Sequence, residues 1–149
     1  MVGDYIPSPR AWVADQVALY ERSGGNAGLT LHDTGRPVII VTNRGRKTGA
    51  LRKTPLMRVR DGDRYILVAS HGGAPEHPQW YYNLKAYPQV EIRDRTEVHV
   101  MRVREITNPV ERRRLWRVAV RAFPCYADCQ GRTSRLIPLF LAEPALLTA

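Results

Sequence analysis

At 149 residues, with 44% hydrophobic and 25% charged side chains, the chain has the make-up of an ordinary globular protein, long enough to bury roughly 70% of its unfolded surface. Its longest apolar runs, VIIV at 38–41 and LIPLFLA at 136–142, fall far short of the ~20 residues that cross a bilayer, and the N-terminus lacks the basic-then-apolar pattern of a secretory signal. Twenty-three basic residues against 14 acidic ones leave a net charge of +9, so the partner to look for is anionic: nucleic acid, a membrane surface, or a small molecule bearing phosphate or carboxylate.

In chain order, PSPRAWVADQVALYERSGG predicts a helix capped by Ser8 with Pro9 at its first position. Val13, Val17 and Tyr20 form its apolar stripe, Trp12 and Leu19 widen it, and Gly24-Gly25 end it. PVIIVTNR reads as a buried strand. TPLMRVRDGDRYILVAS predicts a hairpin turning at Asp61-Gly62-Asp63. PQWYYNLKAYP is a short helix between Pro78 and Pro88. QVEIRDRTEVHVMRVREI is a second hairpin turning near Asp94-Arg95, with Val98, Val100 and Val103 expected on one face and His99 and Arg102 nearer the other. NPVERRRLWRVAVRAF predicts a long helix capped by Asn108, with Pro109 first and Leu115, Val118, Ala119 and Ala122 inward. RLIPLFLAEP is a last strand, and Leu146 to Ala149 read as a loose tail. One domain over 1–149 is expected, with an N-terminal helix and candidate lid in 1–25 and the core in 37–144. Five to six antiparallel strands with two or three helices give an α+β class and a small barrel.

Three stretches carry candidate chemistry. TNRGRKTGALRKTP at 42–55 holds five basic side chains, Arg44, Arg46, Lys47, Arg52 and Lys53, with no acid. Its glycines permit close approach of backbone to a ligand, and its cations suit phosphate or carboxylate. It joins two strands and lacks the spacing of a nucleotide P-loop. The same stretch also reads as a solvated basic hairpin tip. In ASHGGAPEHPQWYYNL at 69–84, two glycines free the backbone between a strand and a helix, where N–H groups suit an anion. His71, Glu76 and His77 have the wrong spacing for a helical zinc site, so no metal is expected. Trp80, Tyr81 and Tyr82 read first as core. AFPCYADCQ at 122–130 offers Tyr126 as a donor. Cys125 and Cys129 are read as free thiols, which fits a reducing compartment and makes the cytoplasm the expected location. No nucleophilic or metalloprotease motif is present, so hard chemistry falls to a bound cofactor.

The segments GRKTGALRKTPL, ASHGGAPEHPQWYYNLKAYPQVEI, FPCYADCQ and IPLFLAEP, in that order, resemble the deazaflavin-dependent nitroreductase family, split β-barrel reductases of actinobacteria that use coenzyme F420. The resemblance runs from about Val38 to Pro144. It implies a split antiparallel β-barrel with flanking helices, and hydride transfer from reduced F420 to an electrophilic acceptor such as a quinone, a nitroaromatic, or an activated enone or lactone. The cofactor carries a phosphodiester and an oligoglutamate tail, which gives the basic stretch a ligand. By that resemblance Lys47 and Arg52 take phosphate and tail carboxylates with Arg46 and Thr48 nearby. Thr54, Pro55 and Leu56 line the ring, and Ala69, Ser70, His71, Gly72 and Gly73 approach the ring or ribityl chain. Gln79, Trp80 and Asn83 complete the cofactor wall. Tyr126 lies over the substrate pocket as proton donor, with Trp12, Phe123 and Cys129 around the substrate. His71 replaces a lysine frequent in the family, and Phe123 and Cys129 replace tyrosines. An FMN-binding split barrel is the alternative within redox chemistry, and a basic nucleic-acid-binding barrel the alternative of another class. Nucleic acid is not expected, because the basic stretch has no interleaved aromatic. Peripheral membrane contact through the N-terminal helix, where a quinone would reside, is a further expectation.

Overall fold

The computed structural model describes residues 1–31 and 34–145; the expected tail, Leu146 to Ala149, lies outside the described residues. Helix α1 (Ala11–Arg22) precedes strands β1 (Val38–Arg44), β2 (Leu51–Met57), β3 (Arg60–Asp61) and β4 (Arg64–Val68). Helix α2 (Gln79–Ala86) leads into β5 (Gln89–Asp94) and β6 (Glu97–Glu105). Helices α3 (Pro109–Ala122) and α4 (Cys125–Gly131) follow, then β7 (Leu139–Pro144). The strands make one antiparallel sheet in the order β2-β1-β5-β6-β7-β4-β3. The sheet curls until its ends approach: the chain leaving β2 reaches Val59, whose carbonyl accepts the Ile66 N–H of β4 at 2.9 Å. This is the expected α+β half-barrel, with a two-residue strand and a short helix beyond the expected elements. Helix α4 opens after Pro124 and spans only CYADCQG, too short to show an apolar period.

Both faces of the sheet are covered over most of its area, which is why its strands read as apolar runs. On one face Val38, Ile40, Ile66, Val68, Leu139 and Leu141 pack with Val17 and Tyr20 of α1, Leu115 and Ala119 of α3, and Tyr126 and Cys129 of α4. On the other, Ile39, Val41, Tyr65, Leu67, Val90, Ile92 and Phe140 pack with Trp80 and Leu84 of α2. Tyr20 locks α1 in place: its hydroxyl accepts the Arg95 N–H at 2.6 Å and lies 3.3 Å from the Val38 carbonyl oxygen. Gly25 seats the end of the helix on the β5–β6 turn so tightly that a Cβ there would lie 1.7 Å from the Arg95 carbonyl oxygen.

Some local expectations are corrected. Helix α1 begins at Ala11, not Pro9; Arg10 is its N-cap, without a side-chain cap, and Ser8 Oγ instead accepts the Arg10 N–H at 3.2 Å. Ser8 precedes a proline and is held out of the helical region. Trp12 and Leu19 are exposed rather than core-facing. On β6 the parity is shifted: Met101 and Val103 are buried with His99 on their side, while Val98 and Val100 share the exposed face with Arg102. In contrast, the Asn108 cap stands as expected, its Oδ1 accepting the Val110 and Glu111 N–H groups at 3.0 and 3.1 Å. The basic stretch divides: β1 runs to Arg44 and β2 starts at Leu51, so Arg52 to Leu56 lie on a strand and only residues 45–50 form the connection. Pro55 is tolerated because β2 lies at an edge of the sheet. In the hairpin that turns at Gly62-Asp63, β3 and not β2 pairs in register with β4, and Val59 between them accepts the Ile66 N–H.

Candidate active site

The β1–β2 hairpin, the N-terminal segment, the turn after β4, and helices α2 and α4 enclose a cavity of about 970 Å³. Among the described residues no carboxylate lines it, while Arg10, Arg46, Lys47, Arg52 and Lys53 do. The hairpin tip is shaped from within. Gly45 and Ala50 pair through a 2.7 Å bond, and Thr48 Oγ1 accepts the Ala50 N–H at 3.1 Å. Two buried asparagines tie this tip to α2: Asn83 donates to Asn43 Oδ1 at 2.9 Å and accepts the Arg46 N–H at 3.1 Å. Asn43 escaped the sequence reading, although a polar residue closing the run VIIVTN is the signal that marks it.

The cations are not equivalent. Arg46 stacks on Tyr82, 4.6 Å from its ring centroid, and donates to Gln79 Oε1 at 3.2 Å. Arg52 Nη1 is 3.2 and 3.4 Å from the carbonyl oxygens of Ile6 and Pro7, and so holds the N-terminal strap over the hairpin. Lys53, expected only as one of the five cations of the basic stretch, clasps both oxygens of Glu21 at 2.7 and 2.6 Å and so docks α1. Lys47 is exposed and, among the described residues, has no hydrogen-bond or ion-pair partner. With Arg10, likewise exposed on the lining, it is a cation available to a ligand.

The turn after β4 presents Ser70, His71 and Gly72 to the cavity. Ser70 is right-handed (φ −72°, ψ −38°), and His71, Gly72 and Gly73 follow with φ of 47°, 63° and 83°. For His71 such a backbone costs about 1–3 kcal/mol unless its surroundings impose it. A right-handed residue followed by a left-handed one turns successive N–H groups into a concavity that suits an anion. Among the described residues the N–H groups of Ser70, His71 and Gly72 have no acceptor, whereas those of Gly73 and Ala74 bond back to Ser70 and His71. Two expected members of this wall are displaced. Ala69 is fully buried in the core beside Tyr65 and Leu67, and Gly73 abuts α4, where a Cβ would lie 2.7 Å from the Cys129 carbonyl oxygen. Thr54, Pro55 and Leu56 on β2, with Gln79 and Trp80 on α2, line the cavity between these groups. Trp80 divides its roles, packing on Phe140 at 6.1 Å between centroids while one side reaches the cavity.

The opposite end is apolar. Trp12 and Val13 of α1, Met57, Val68, Phe123, Tyr126 and Cys129 line it. Met57 and Val68 were not foreseen, since alternation alone does not say which buried strand positions border a void. The Phe123 ring meets Tyr126 edge-on at 5.1 Å. Burial pushes the Tyr126 hydroxyl far above the ordinary tyrosine range, and among the described residues nothing hydrogen-bonds it. It therefore stays protonated at neutral pH and can donate a hydrogen bond into the cavity. Burial likewise raises the Cys129 thiol, while Cys125 is exposed; both are free. No group of His, Cys, Asp or Glu among the described residues is arranged to hold a metal.

The family model for F420H(2)-dependent quinone reductase matches residues 12–144. The chain belongs to the F420H(2)-dependent quinone reductase family. An F420H(2)-dependent quinone reductase of Mycobacterium tuberculosis is 38% identical over 128 residues, covering 82% of this chain and 83% of that protein. A solved F420-H2 dependent reductase, FDR-A, shares 45% identity over 72% of this chain and 95% of its own, with a TM-score of 0.68. A second solved structure, described as a domain-swapped dimer, shares 42% identity over 91% of this chain and all of its own, with a TM-score of 0.71. Membership of the F420H(2)-dependent quinone reductase family bears out both the split-barrel fold and coenzyme F420 as cofactor. The residues present fit that cofactor: among the described residues, N–H groups at 70–72 without acceptors, a Lys47 without a partner and a lining without carboxylates suit a phosphodiester with a polyanionic tail.

Proposed function

We propose that this protein reduces a quinone-class acceptor at the apolar end of the cavity while F420 occupies the basic end. The carrying observation is the segregation of one 970 Å³ cavity into a cationic, N–H-rich wall and an aromatic wall holding a buried tyrosine. When bound, reduced F420 supplies a hydride.

The chain's own residues then have separable duties. Lys47 and the outer face of Arg52 hold tail carboxylates or phosphate, with Thr48 and the Arg46 backbone nearby. The N–H groups of Ser70, His71 and Gly72 take the phosphate or ribityl oxygens, and Thr54, Pro55, Leu56, Gln79, Trp80 and Asn83 fix the ring plane. Holding donor and acceptor in contact lowers a barrier by about 7–11 kcal/mol, so orientation is the main contribution. Tyr126, which burial keeps protonated, donates a hydrogen bond to the acceptor oxygen, and the proton that completes the reduction comes from solvent or through this hydroxyl, which solvent then reprotonates. Trp12, Phe123 and Cys129 shape the acceptor. Ile6 to Arg10, held by Arg52, cover the cavity from the N-terminal side, whereas α1 itself is fixed by Val17, Tyr20 and the Lys53–Glu21 pair. Trp12 and Leu19, 42% and 39% exposed on α1, and the net charge of +9 suit contact with an anionic lipid surface where a quinone resides. No helix among the described residues is long and apolar enough to cross a membrane. We place the reaction on the cytoplasmic side, in keeping with two unpaired thiols.

The test is a fluorescence titration with F420 and then FMN at two salt concentrations, followed by turnover with quinone, nitroaromatic and enone acceptors in parallel. Salt-sensitive F420 binding with quinone turnover is expected. Tight FMN binding without F420 binding overturns the cofactor assignment, and F420 binding with turnover of enones alone overturns the acceptor.

A further inference from the structure

We infer that Arg135 is a positioning residue for the cofactor-side turn, gripping it from behind and aiming the Ser70 and His71 N–H groups into the cavity. This rests on the reading that the cavity takes an anionic cofactor. Arg135 lies in the connection between α4 and β7 and does not itself line the cavity. Its guanidinium reaches across to four groups of the 69–77 segment. Nη1 donates to the Ala69 carbonyl at 3.2 Å and to His77 Nδ1 at 2.9 Å, Nη2 to the Ser70 carbonyl at 2.8 Å, and Nε to the Ala74 carbonyl at 2.8 Å.

The consequence follows from peptide geometry. No peptide bond among the described residues is cis, and in a trans peptide the C=O and the next residue's N–H point in opposite directions. Gripping the Ala69 and Ser70 carbonyls therefore turns the Ser70 and His71 N–H groups away from Arg135, toward the side on which Ser70, His71 and Gly72 border the cavity. These are the N–H groups that find no acceptor within the described chain. Among the described residues the arginine has no carboxylate partner, so its charge stands behind two aligned peptide dipoles and adds to the field an anion meets.

The grip is over-determined, as a turn with His71 at φ 47° requires. Gln130 of α4 donates to the Arg135 carbonyl at 2.8 Å and accepts the Ile137 N–H at 3.0 Å, clamping the connection on both sides of the arginine. His77 must present an unprotonated Nδ1 to a guanidinium, which has no acceptor to offer. Its ring packs on Tyr81 at 4.4 Å and lies 6.1 Å from Tyr82, so it cannot swing away freely. Helix α4, which carries Tyr126 and Cys129, is thereby joined to the cofactor-side turn through Gln130 and Arg135.

The test uses Arg135→Ala and Arg135→Lys, the second keeping the charge but losing the planar fork. Hydrogen–deuterium exchange of the Gly73 and Ala74 amides, measured without cofactor, reports the turn alone; exchange about tenfold faster than wild type is expected while core amides are unchanged. F420 affinity should weaken by about tenfold in both variants, with kcat at saturating F420 changed less than about threefold. Low-millimolar guanidinium should restore affinity to Arg135→Ala and not to wild type carrying Lys47→Ala. Should Arg135→Ala fail to fold, Arg135→Lys carries the same comparison. Unchanged amide exchange, or F420 affinity within twofold of wild type in a folded variant, overturns the inference. Accelerated exchange in a protein whose wild type does not bind F420 removes the cofactor reading and leaves the positioning of the turn intact.

Discussion

Replacing Lys47 by alanine separates ligand binding from folding, because this cation is exposed and has no partner among the described residues. Two unit charges 4 Å apart interact by ~1 kcal/mol in bulk water and by ~4 kcal/mol at an effective dielectric constant near 20. The exposure of Lys47 puts its contact with a tail carboxylate or phosphate at the low end, about 1–1.5 kcal/mol, or five- to tenfold in Kd. The unfolding temperature should stay within about 1 °C of wild type, since no bond among the described residues is lost. Arg52→Ala provides the contrast. Its guanidinium holds the Ile6 and Pro7 carbonyls at 3.2 and 3.4 Å, so the variant should lose both F420 affinity and attachment of the strap. The assay is F420 fluorescence titration at ~20 and ~300 mM salt together with thermal unfolding; the Lys47→Ala difference should shrink at high salt as the Debye length falls below ~10 Å. Affinity within twofold of wild type at low salt would refute the placement of the anionic tail. A fall of several degrees in unfolding temperature would refute the claim that Lys47 is uncommitted.

Three further outcomes are expected. Tyr126→Phe should lower kcat by about 10²-fold with F420 affinity unchanged, and should leave stability intact because the hydroxyl has no partner among the described residues; full turnover on every acceptor would remove Tyr126 from the chemistry. Gly25→Ala places a Cβ 1.7 Å from the Arg95 carbonyl oxygen at a φ of 85°, so it should cost about 2–3 kcal/mol and roughly 5–10 °C in unfolding temperature; a wild-type melting curve would show that α1 is not seated there. Asp61 hydrogen-bonds Arg114 and pairs with Arg64, which holds its carboxyl below the ordinary value of 3.8. A depressed folded pKa contributes stability above the unfolded pKa that is lost as pH falls through the folded one. The unfolding-temperature gap between wild type and Asp61→Asn should therefore be open at pH 7 and close toward pH 2–3, and a gap that widens on acidification would contradict the pairing.

Strands and helices with strong periodicity were legible in the sequence because local chemistry alone produces them. The Asn108 cap and the apolar run of β1 are examples, each set by a few neighbouring residues. The basic and turn side of the cavity was legible for a second reason: its lining lies in two contiguous segments, 45–56 and 70–83, brought together by the Asn43–Asn83 bond. What escaped depends on distant partners. Val98 and Val100 alternate as a buried face would, yet no helix covers that part of the sheet, and register with Arg93 and Glu91 sets their exposure. Arg52 looks like a free cation until the strap carbonyls 45 and 46 residues away are in view. Arg135 is one of several arginines in a basic chain, and only the approach of four groups some 60 residues distant distinguishes it.

The two ends of the cavity are built on different kinds of support, and this has a consequence for how acceptor preference can change. The end proposed for the cofactor rests on backbone N–H groups, a buried Asn–Asn bond and an arginine-held turn, all of which a single side-chain exchange at the far end should leave untouched. The end proposed for the acceptor rests on side chains alone: Trp12 projects from α1, Phe123 from the residue that follows α3, and Tyr126 and Cys129 from α4. Phe123 and Cys129 offer no hydroxyl, so Tyr126 is left as the one phenolic donor among the described residues of that wall. Restoring hydroxyls there, as in Phe123→Tyr, should alter the ranking of quinone, nitroaromatic and enone acceptors while F420 affinity stays within about twofold, since the two walls share no hydrogen bond through that ring. A parallel fall in F420 affinity would mean that the walls are coupled through α4, by way of Gln130 and Arg135, more tightly than their separate supports imply.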